Sequence, residues 1–135
     1  MKLTNKQTMK SKSGMTLLEL TVVILVLLSL ISVLFIGARA WKKGADRAAC
    51  ILNIRNVQNA VRSYANMNNK NPEDTVAWKS LVVGTGLFVE KDPTCPGAGS
   101  YTFADTTIPK IGVLAMTCSK AAAPDNHVPS DISAW

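Results

Sequence analysis

An uninterrupted apolar stretch near the N-terminus restricts what this chain of 135 residues can fold into. Residues 20–38 read LTVVILVLLSLISVLFIGA, nineteen residues without a charge. As an α-helix with a rise of about 1.5 Å per residue, the stretch spans roughly 28 Å, which is close to the thickness of a hydrocarbon core. A single segment in lipid must satisfy its own backbone hydrogen bonds, and this favours helix over strand. The sequence therefore predicts a membrane-spanning helix rather than a purely soluble domain.

The basic character of the chain is concentrated in front of this stretch. Residues 1–14 contain four lysines and no acid, whereas the whole chain has 15 basic and nine acidic residues. Without these four lysines, 11 basic residues remain against the nine acids. A nearly neutral body lacks the electrostatic footprint of a nucleic-acid-binding domain. Nucleic acid is therefore a partner that no feature of the sequence supports.

Three interpretations compete for the first forty residues. A secretory signal peptide would be cut after the Ala-Arg-Ala of residues 38–40, but its apolar region usually covers only about 7–15 residues. A plain membrane anchor leaves Glu19 and the Ser-Gly-Met junction of residues 13–15 unexplained. A carboxylate in an apolar segment costs on the order of 2.5–3.5 kcal/mol at the bilayer centre and less near the edge. The third interpretation gives Glu19 a cationic partner from another copy of the chain.

Residues 13–23, SGMTLLELTVV, resemble the type III signal of type IV pilins and type II secretion pseudopilins. The shared pattern is a short basic leader ending in glycine, a hydrophobic residue after the cut, a glutamate at the fifth mature position and a long apolar helix. The resemblance implies that a prepilin peptidase cuts between Gly14 and Met15 and that the new amine of Met15 is N-methylated. It also implies that Glu19 neutralises the N-terminal amine of a neighbouring subunit. Further implied partners are copies of the chain or other pilins, which bind through this helix, and an assembly platform membrane protein.

The resemblance also implies a location, which the charges alone do not determine. Four lysines precede the apolar stretch and four basic residues follow it closely, so the positive-inside rule gives a tie. The following residues are Arg39, Lys42, Lys43 and Arg47. They would face lipid headgroups, acidic groups of neighbouring subunits, or solvent. The implied location is the bacterial inner membrane, with a single span and the C-terminal domain outside the cytoplasm, and then a pilus or pseudopilus.

Beyond the apolar stretch, the helical pattern continues in amphipathic form. Apolar residues recur at spacings of three and four, which is typical of one helix face: Ile51, Ile54, Val57, Val61, Tyr64 and Ala65. Residues 15–71 contain no proline, unlike many pilins, and the asparagine-rich run before Pro72 ends the pattern. A helix from Met15 to about Asn66 would be about 52 residues and 78 Å long. The 121 residues after the leader are too few to bury it.

The predicted organisation has four parts. They are a leader at 1–14, a transmembrane or filament-core helix at 15–38, its amphipathic continuation at 39–66 and a small globular α/β domain at 67–135. The predicted fold class is α+β and pilin-like. Its long N-terminal helix spans the membrane with its first half and packs with its amphipathic second half on a small antiparallel β-sheet.

Within the C-terminal domain, the sequence predicts a second helix and a hairpin. The helix is predicted to begin at Asn71, because an asparagine cap is followed by proline and two acids. Trp78 is expected to anchor the core. The strands are predicted at 100–104 and 111–118. The Pro-x-Cys-Pro-Gly-x-Gly-x-Tyr run before the first strand resembles the start of the sheet in some small pilin-like proteins.

Cys95 and Cys118 bracket the predicted hairpin. In an exported domain with a small core, a disulfide closing this loop of roughly 24 residues would contribute about 3 kcal/mol in the loop-entropy model. Cys50 is expected to be a small buried residue, with pairing to another cysteine or subunit as alternatives. These three cysteines and His127 could form a zinc site, but no C-x-x-C or H-x-x-x-H spacing supports it. The sequence therefore predicts a Cys95–Cys118 disulfide, no metal site, no cofactor and a solvated His127.

The predicted role is structural rather than enzymatic. The sequence contains no Ser/His/Asp motif, no Walker-type glycine loop and no metal motif. The hypothesis is a filament subunit of a type IV pilus or a type II secretion-like pseudopilus, as a major or a minor subunit. The alternative is a single-pass membrane-anchored binding module that presents Trp78, Tyr101 or basic residues to DNA or a ligand.

Overall fold

A computed structural model describes residues 14–135, and this part of the chain contains two helices and two strands. The elements are α1 (Leu17–Met67), α2 (Lys79–Val82), β1 (Tyr101–Phe103) and β2 (Met116–Cys118). Apart from Gly14, the predicted leader lies outside the described residues. The chain divides into two compact units, and the boundary between Ala38 and Arg39 falls within α1. The long apolar helix and the small antiparallel sheet confirm the α+β class.

Local signals account for the whole of α1, which was predicted to extend from Met15 to about Asn66. Its first turn is capped by Thr16, whose Oγ1 accepts a hydrogen bond from the backbone N–H of Glu19 at 3.3 Å. Ser29 and Ser32 donate their hydroxyl hydrogens to carbonyls of the preceding turn, at 2.7 and 2.8 Å. These polar groups are thereby satisfied within an apolar segment. The helix ends just before Asn69, which has a left-handed φ of 50°.

The core lies against one face of the second half of α1. The buried residues of this face recur at helical spacing: Cys50, Ile54, Val57, Gln58, Ala60, Val61 and Ala65. They pack against Trp78, Ile108 and Met116 from the rest of the unit. Trp78 is completely buried, which confirms its predicted role. Its indole N–H donates to the carbonyls of Ala104 and Thr107, at 2.8 and 3.1 Å.

The prediction of a second helix beginning at Asn71 is wrong, because α2 covers only Lys79–Val82. The backbone there pairs with a distant segment instead. The N–H of Glu73 donates to the carbonyl of Ile108 at 2.8 Å, and the N–H of Ile108 donates to the carbonyl of Asp74 at 3.0 Å. Glu73 also has a φ of 73°, which no right-handed helix accommodates. The Asp74 carboxylate accepts a hydrogen bond from the Asn71 N–H at 2.7 Å. Asn71, which the sequence predicted to cap a helix, is therefore part of a turn.

The predicted antiparallel hairpin forms with shorter strands. Tyr101 lies opposite Cys118 and Phe103 opposite Met116. The predicted second strand at 111–118 is formed only by its last three residues. Gly112 has a φ of 83°, so the first part of that alternating sequence is a turn.

The side chain of Gln58 forms hydrogen bonds with the backbone of the segment before β2, in place of a neighbouring strand. Its side chain is only 2% exposed. Its Nε2 donates to the carbonyl of Val113 at 3.0 Å, and its Oε1 accepts from the N–H of Ala115 at 2.7 Å. One side chain thus satisfies two backbone groups that have no partner in the sheet.

Replacing Gln58 with alanine is expected to destabilise the globular unit by about 2–4 kcal/mol, because two backbone groups lose their partners and a cavity remains. Urea unfolding of the full chain in detergent, followed by tryptophan fluorescence, measures the change. Asn59→Ala alters the adjacent exposed position and should change the free energy of unfolding by less than about 0.5 kcal/mol. Equal stability of Q58A and wild type would refute the role given to Gln58.

Candidate functional site

The predicted cleavage and assembly residues lie together at the N-terminal end of α1. Gly14 and Met15 precede the helix, and both are exposed. Glu19 lies in the first turn of α1 and is also exposed. The Gly14–Met15 peptide bond and the Glu19 side chain therefore lie at the surface of the part of the chain that the structure describes.

The segment that follows exposes its apolar side chains all around the helix. Within α1, one stretch is long and apolar enough to cross a membrane, and none of it is buried. A helix of a soluble protein normally buries at least one apolar stripe against its own domain. A continuous exposed apolar surface of this size is typical of contact with lipid or with other chains.

Trp41 marks the end of this apolar surface, and sequence reasoning missed it. Its side chain is 80% exposed, and the basic residues Arg39, Lys42 and Lys43 around it are exposed as well. Tryptophan and basic side chains are enriched where a spanning helix leaves the hydrocarbon core. The sequence could have indicated this role, because Trp41 lies about one turn after the last residues of the apolar stretch.

A second candidate site lies in the unit that begins at Arg39. Four buried side chains from four segments converge there: Cys50 of α1, Cys95 of the turn before β1, Cys118 of β2 and His127 of the C-terminal tail. Their sulfur atoms and a ring nitrogen lie within 4.8 Å of one another. The Sγ of Cys95 is 3.7 Å from the Sγ of Cys118 and 3.4 Å from the Nδ1 of His127. We call these four residues the Cys3His cluster.

The sequence predicted only part of this cluster. Cys95 and Cys118 are neighbours, as expected of residues that bracket the hairpin, and their sulfur atoms lie 3.7 Å apart. The disulfide between them stays a prediction. Cys50 is buried, as expected. The expectation of a solvated His127 is wrong, since this residue is 4% exposed. The backbone N–H of His127 donates to the carbonyl of Lys120 at 2.8 Å. The sequence of the tail gives no indication of this contact.

The thiols of the cluster differ in acidity. Burial raises the pKa of Cys50 to about 12, against the opposing effect of a hydrogen bond from the Tyr101 hydroxyl at 3.3 Å. Burial also acts on Cys95, but hydrogen bonds from the Gly99 backbone, the His127 ring and the Gly97 backbone outweigh it and lower the pKa to about 7. The environment of Cys95 therefore favours a thiolate near neutral pH.

Two glycines let the backbone approach the cluster closely. A Cβ atom at Gly99 would lie 2.9 Å from the Sγ of Cys118 and 3.2 Å from the Sγ of Cys95. A Cβ atom at Gly97 would lie 2.7 Å from the Cε1 of His127. The Pro-Gly-x-Gly run after Cys95 therefore forms one wall of the cluster.

His127 also borders an open cleft of about 310 Å³. Its lining includes five charged residues: Lys43, Asp46, Arg47, Lys120 and Asp125. The cleft leads from solvent to His127, one of the four buried residues of the Cys3His cluster.

Comparison of the chain with protein-family models, curated proteins and solved structures finds no match.

Proposed function

We propose that the chain is a prepilin-type subunit, cut between Gly14 and Met15, that polymerises through α1 into a type IV pilus or a type II secretion-like pseudopilus. The observation that carries this proposal is the exposed apolar first half of α1 with an acid, Glu19, in its first turn. A lipid environment alone accounts for the apolar surface. It does not account for the carboxylate, which is unfavourable there without a partner.

The leader and Glu19 have complementary electrostatic roles in this proposal. Before cleavage, the four lysines of residues 1–14 hold the N-terminus at the cytoplasmic membrane surface, because a lysine costs on the order of 2.5–3.5 kcal/mol at the bilayer centre. Cleavage removes these charges and leaves one amine on Met15. The Glu19 carboxylate of an adjacent subunit then neutralises this amine inside the filament. Opposite charges buried together offset each other, whereas either one alone is expensive.

The globular unit is the exported part of the subunit. It leaves the inner membrane at Trp41 and the neighbouring basic residues, and these contact lipid headgroups before assembly. The partners of α1 are the prepilin peptidase, an assembly platform membrane protein and other pilin subunits. The role of the chain is structural, since the filament requires packing and charge pairing and no chemical step by the subunit.

The mature N-terminus tests the proposal most directly. In a host with a prepilin peptidase, intact-mass spectrometry of the wild-type chain is expected to find a product that begins at N-methylated Met15. Gly14→Val is expected to block the cut, because a larger side chain then lies at the scissile bond, and the precursor should retain residues 1–14. Gly44→Ala, a glycine substitution within α1, serves as the control and should be processed normally.

Two other products would contradict the proposal. A wild-type chain that begins at Met1 would indicate a plain anchor and favour the membrane-anchored binding module. A chain that begins at Trp41 would indicate a secretory signal peptide that is cut after residues 38–40.

A further inference from the structure

We infer that the Cys3His cluster is a structural zinc site, in which Cys50, Cys95, Cys118 and His127 bind one Zn²⁺ ion. The site would join α1, the turn before β1, the end of β2 and the C-terminal tail. This inference concerns the globular unit and is independent of the filament function proposed above.

The spacing of the side chains fits tetrahedral zinc. With Zn–S distances of about 2.3 Å and Zn–N distances of about 2.0–2.1 Å, tetrahedral geometry separates two sulfurs by about 3.8 Å and a sulfur from a nitrogen by about 3.5 Å. The observed Cys95–Cys118 Sγ–Sγ distance is 3.7 Å, and the distance from Cys95 Sγ to His127 Nδ1 is 3.4 Å. All the ligand atoms lie within 4.8 Å of one another, so a contraction of about 1.3 Å at most completes the tetrahedron.

The chemistry of the donors selects the metal. Three thiols and one imidazole form a soft, sulfur-rich set, which suits zinc and does not suit Ca²⁺ or Mg²⁺, because those ions prefer oxygen ligands. All four residues are buried. Four protein ligands leave no position for water or substrate, and this is the arrangement of structural rather than catalytic zinc sites.

Two of the sulfurs also have a hydrogen-bond donor beside them. The N–H of Lys120 donates to the Sγ of Cys118 at 3.5 Å, and the hydroxyl of Tyr101 donates to the Sγ of Cys50 at 3.3 Å. Three thiolates and one Zn²⁺ carry a net charge of −1, and such donors stabilise it.

The secondary structure of the globular unit suggests why a metal is useful there. Each strand has three residues, and α2 has four. The C-terminal tail follows β2 without a strand or helix of its own among the described residues. Small domains with little regular structure are often held together by a metal or by disulfides. One ion would connect positions 50, 95, 118 and 127, and the cleft at His127 provides an entry path.

The test uses the full chain, purified in detergent without added reductant or chelator. Elemental analysis is expected to find about one zinc per chain, and the three thiols should resist alkylation until the protein is unfolded with a chelator present. Substitution with Co²⁺ should produce a sulfur-to-cobalt charge-transfer band and the strong visible bands of tetrahedral cobalt. A wild-type chain that shows neither zinc nor these bands with added Co²⁺ would overturn the inference.

Ligand variants separate zinc from the alternative of a Cys95–Cys118 disulfide. Cys50→Ser and His127→Gln leave that disulfide pair intact, yet each is expected to lower zinc affinity at least about tenfold in competition with a chelator. Ile54→Val, a conservative change one turn from Cys50 in the same core, is the matched control and should keep one zinc per chain. A peptide map that shows a Cys95–Cys118 disulfide together with loss of zinc would refute the site, as would unchanged zinc affinity in the Cys50→Ser variant.

Discussion

Replacing Glu19 with alanine is expected to abolish filament assembly while leaving membrane insertion and cleavage intact. Insertion should not suffer, because the substitution removes the one acid from an otherwise apolar segment. Assembly should fail because the amine of the neighbouring Met15 is then buried without a partner. Removing one member of a buried ion pair costs about 3–5 kcal/mol, and this penalty recurs at every subunit of a filament. Glu19 is exposed in the first turn of α1 and lies outside the buried core of the part of the chain that the structure describes.

Three measurements on the same cells isolate this effect. Membrane fractionation measures insertion, and intact-mass spectrometry measures cleavage after Gly14. Electron microscopy measures the number and length of the filaments. Glu19→Gln keeps the size of the side chain and removes only its charge, so it should fail in the same way. Thr21→Ala changes a nearby exposed residue whose hydroxyl donates to the carbonyl of Leu18 at 2.8 Å, and this variant should assemble normally. Filaments of normal length and number from both Glu19 variants would rule out the charge-pairing role.

The extent of α1 was predictable because its signals are local. An uncharged apolar run and then a three-and-four spacing determine its course, and the predicted ends lie within two residues of Leu17 and Met67. The helix predicted at Asn71 failed for the opposite reason. Its cap, proline and acids are also local signals, but long-range backbone pairing with Ile108 determines that segment. Propensity is a weak guide where a chain satisfies its hydrogen bonds with a distant partner.

Long-range contacts also limited the prediction of the Cys3His cluster from the sequence. Cys95 and Cys118 could be placed together because a hairpin lies between them. Cys50 and His127 could not, since they reach the cluster from a helix and from an irregular tail. Zinc motifs are recognisable in sequence when two ligands share one turn. Here each ligand comes from a different segment, so only the folded chain brings them together.

The same substitution at two glycines is expected to have opposite effects. Gly99→Ala should destabilise the globular unit by about 1–3 kcal/mol through overpacking alone, because its Cβ would lie 2.9 and 3.2 Å from two sulfurs of the cluster. Gly44→Ala should stabilise the unit by about 0.5–1 kcal/mol, since alanine favours a helix interior. Apart from its chain neighbours and the adjacent backbone of its own helix, a Cβ at Gly44 meets no atom of the described residues within 4 Å. Urea unfolding of both variants in detergent measures the difference.

A chelator extends this comparison to the zinc site. If free zinc is present at about 1,000 times the dissociation constant of the site, removal of the metal should lower the free energy of unfolding of the wild-type chain by about 4 kcal/mol. Gly99→Ala moves two ligand sulfurs, so it should lose most of this dependence, whereas Gly44→Ala should keep all of it. Two perturbations of one site have non-additive effects on the free energy of unfolding, whereas the effects of perturbations at separate sites add. Equal responses of Gly99→Ala and wild type to the chelator would mean that the backbone at Gly99 does not position the metal ligands.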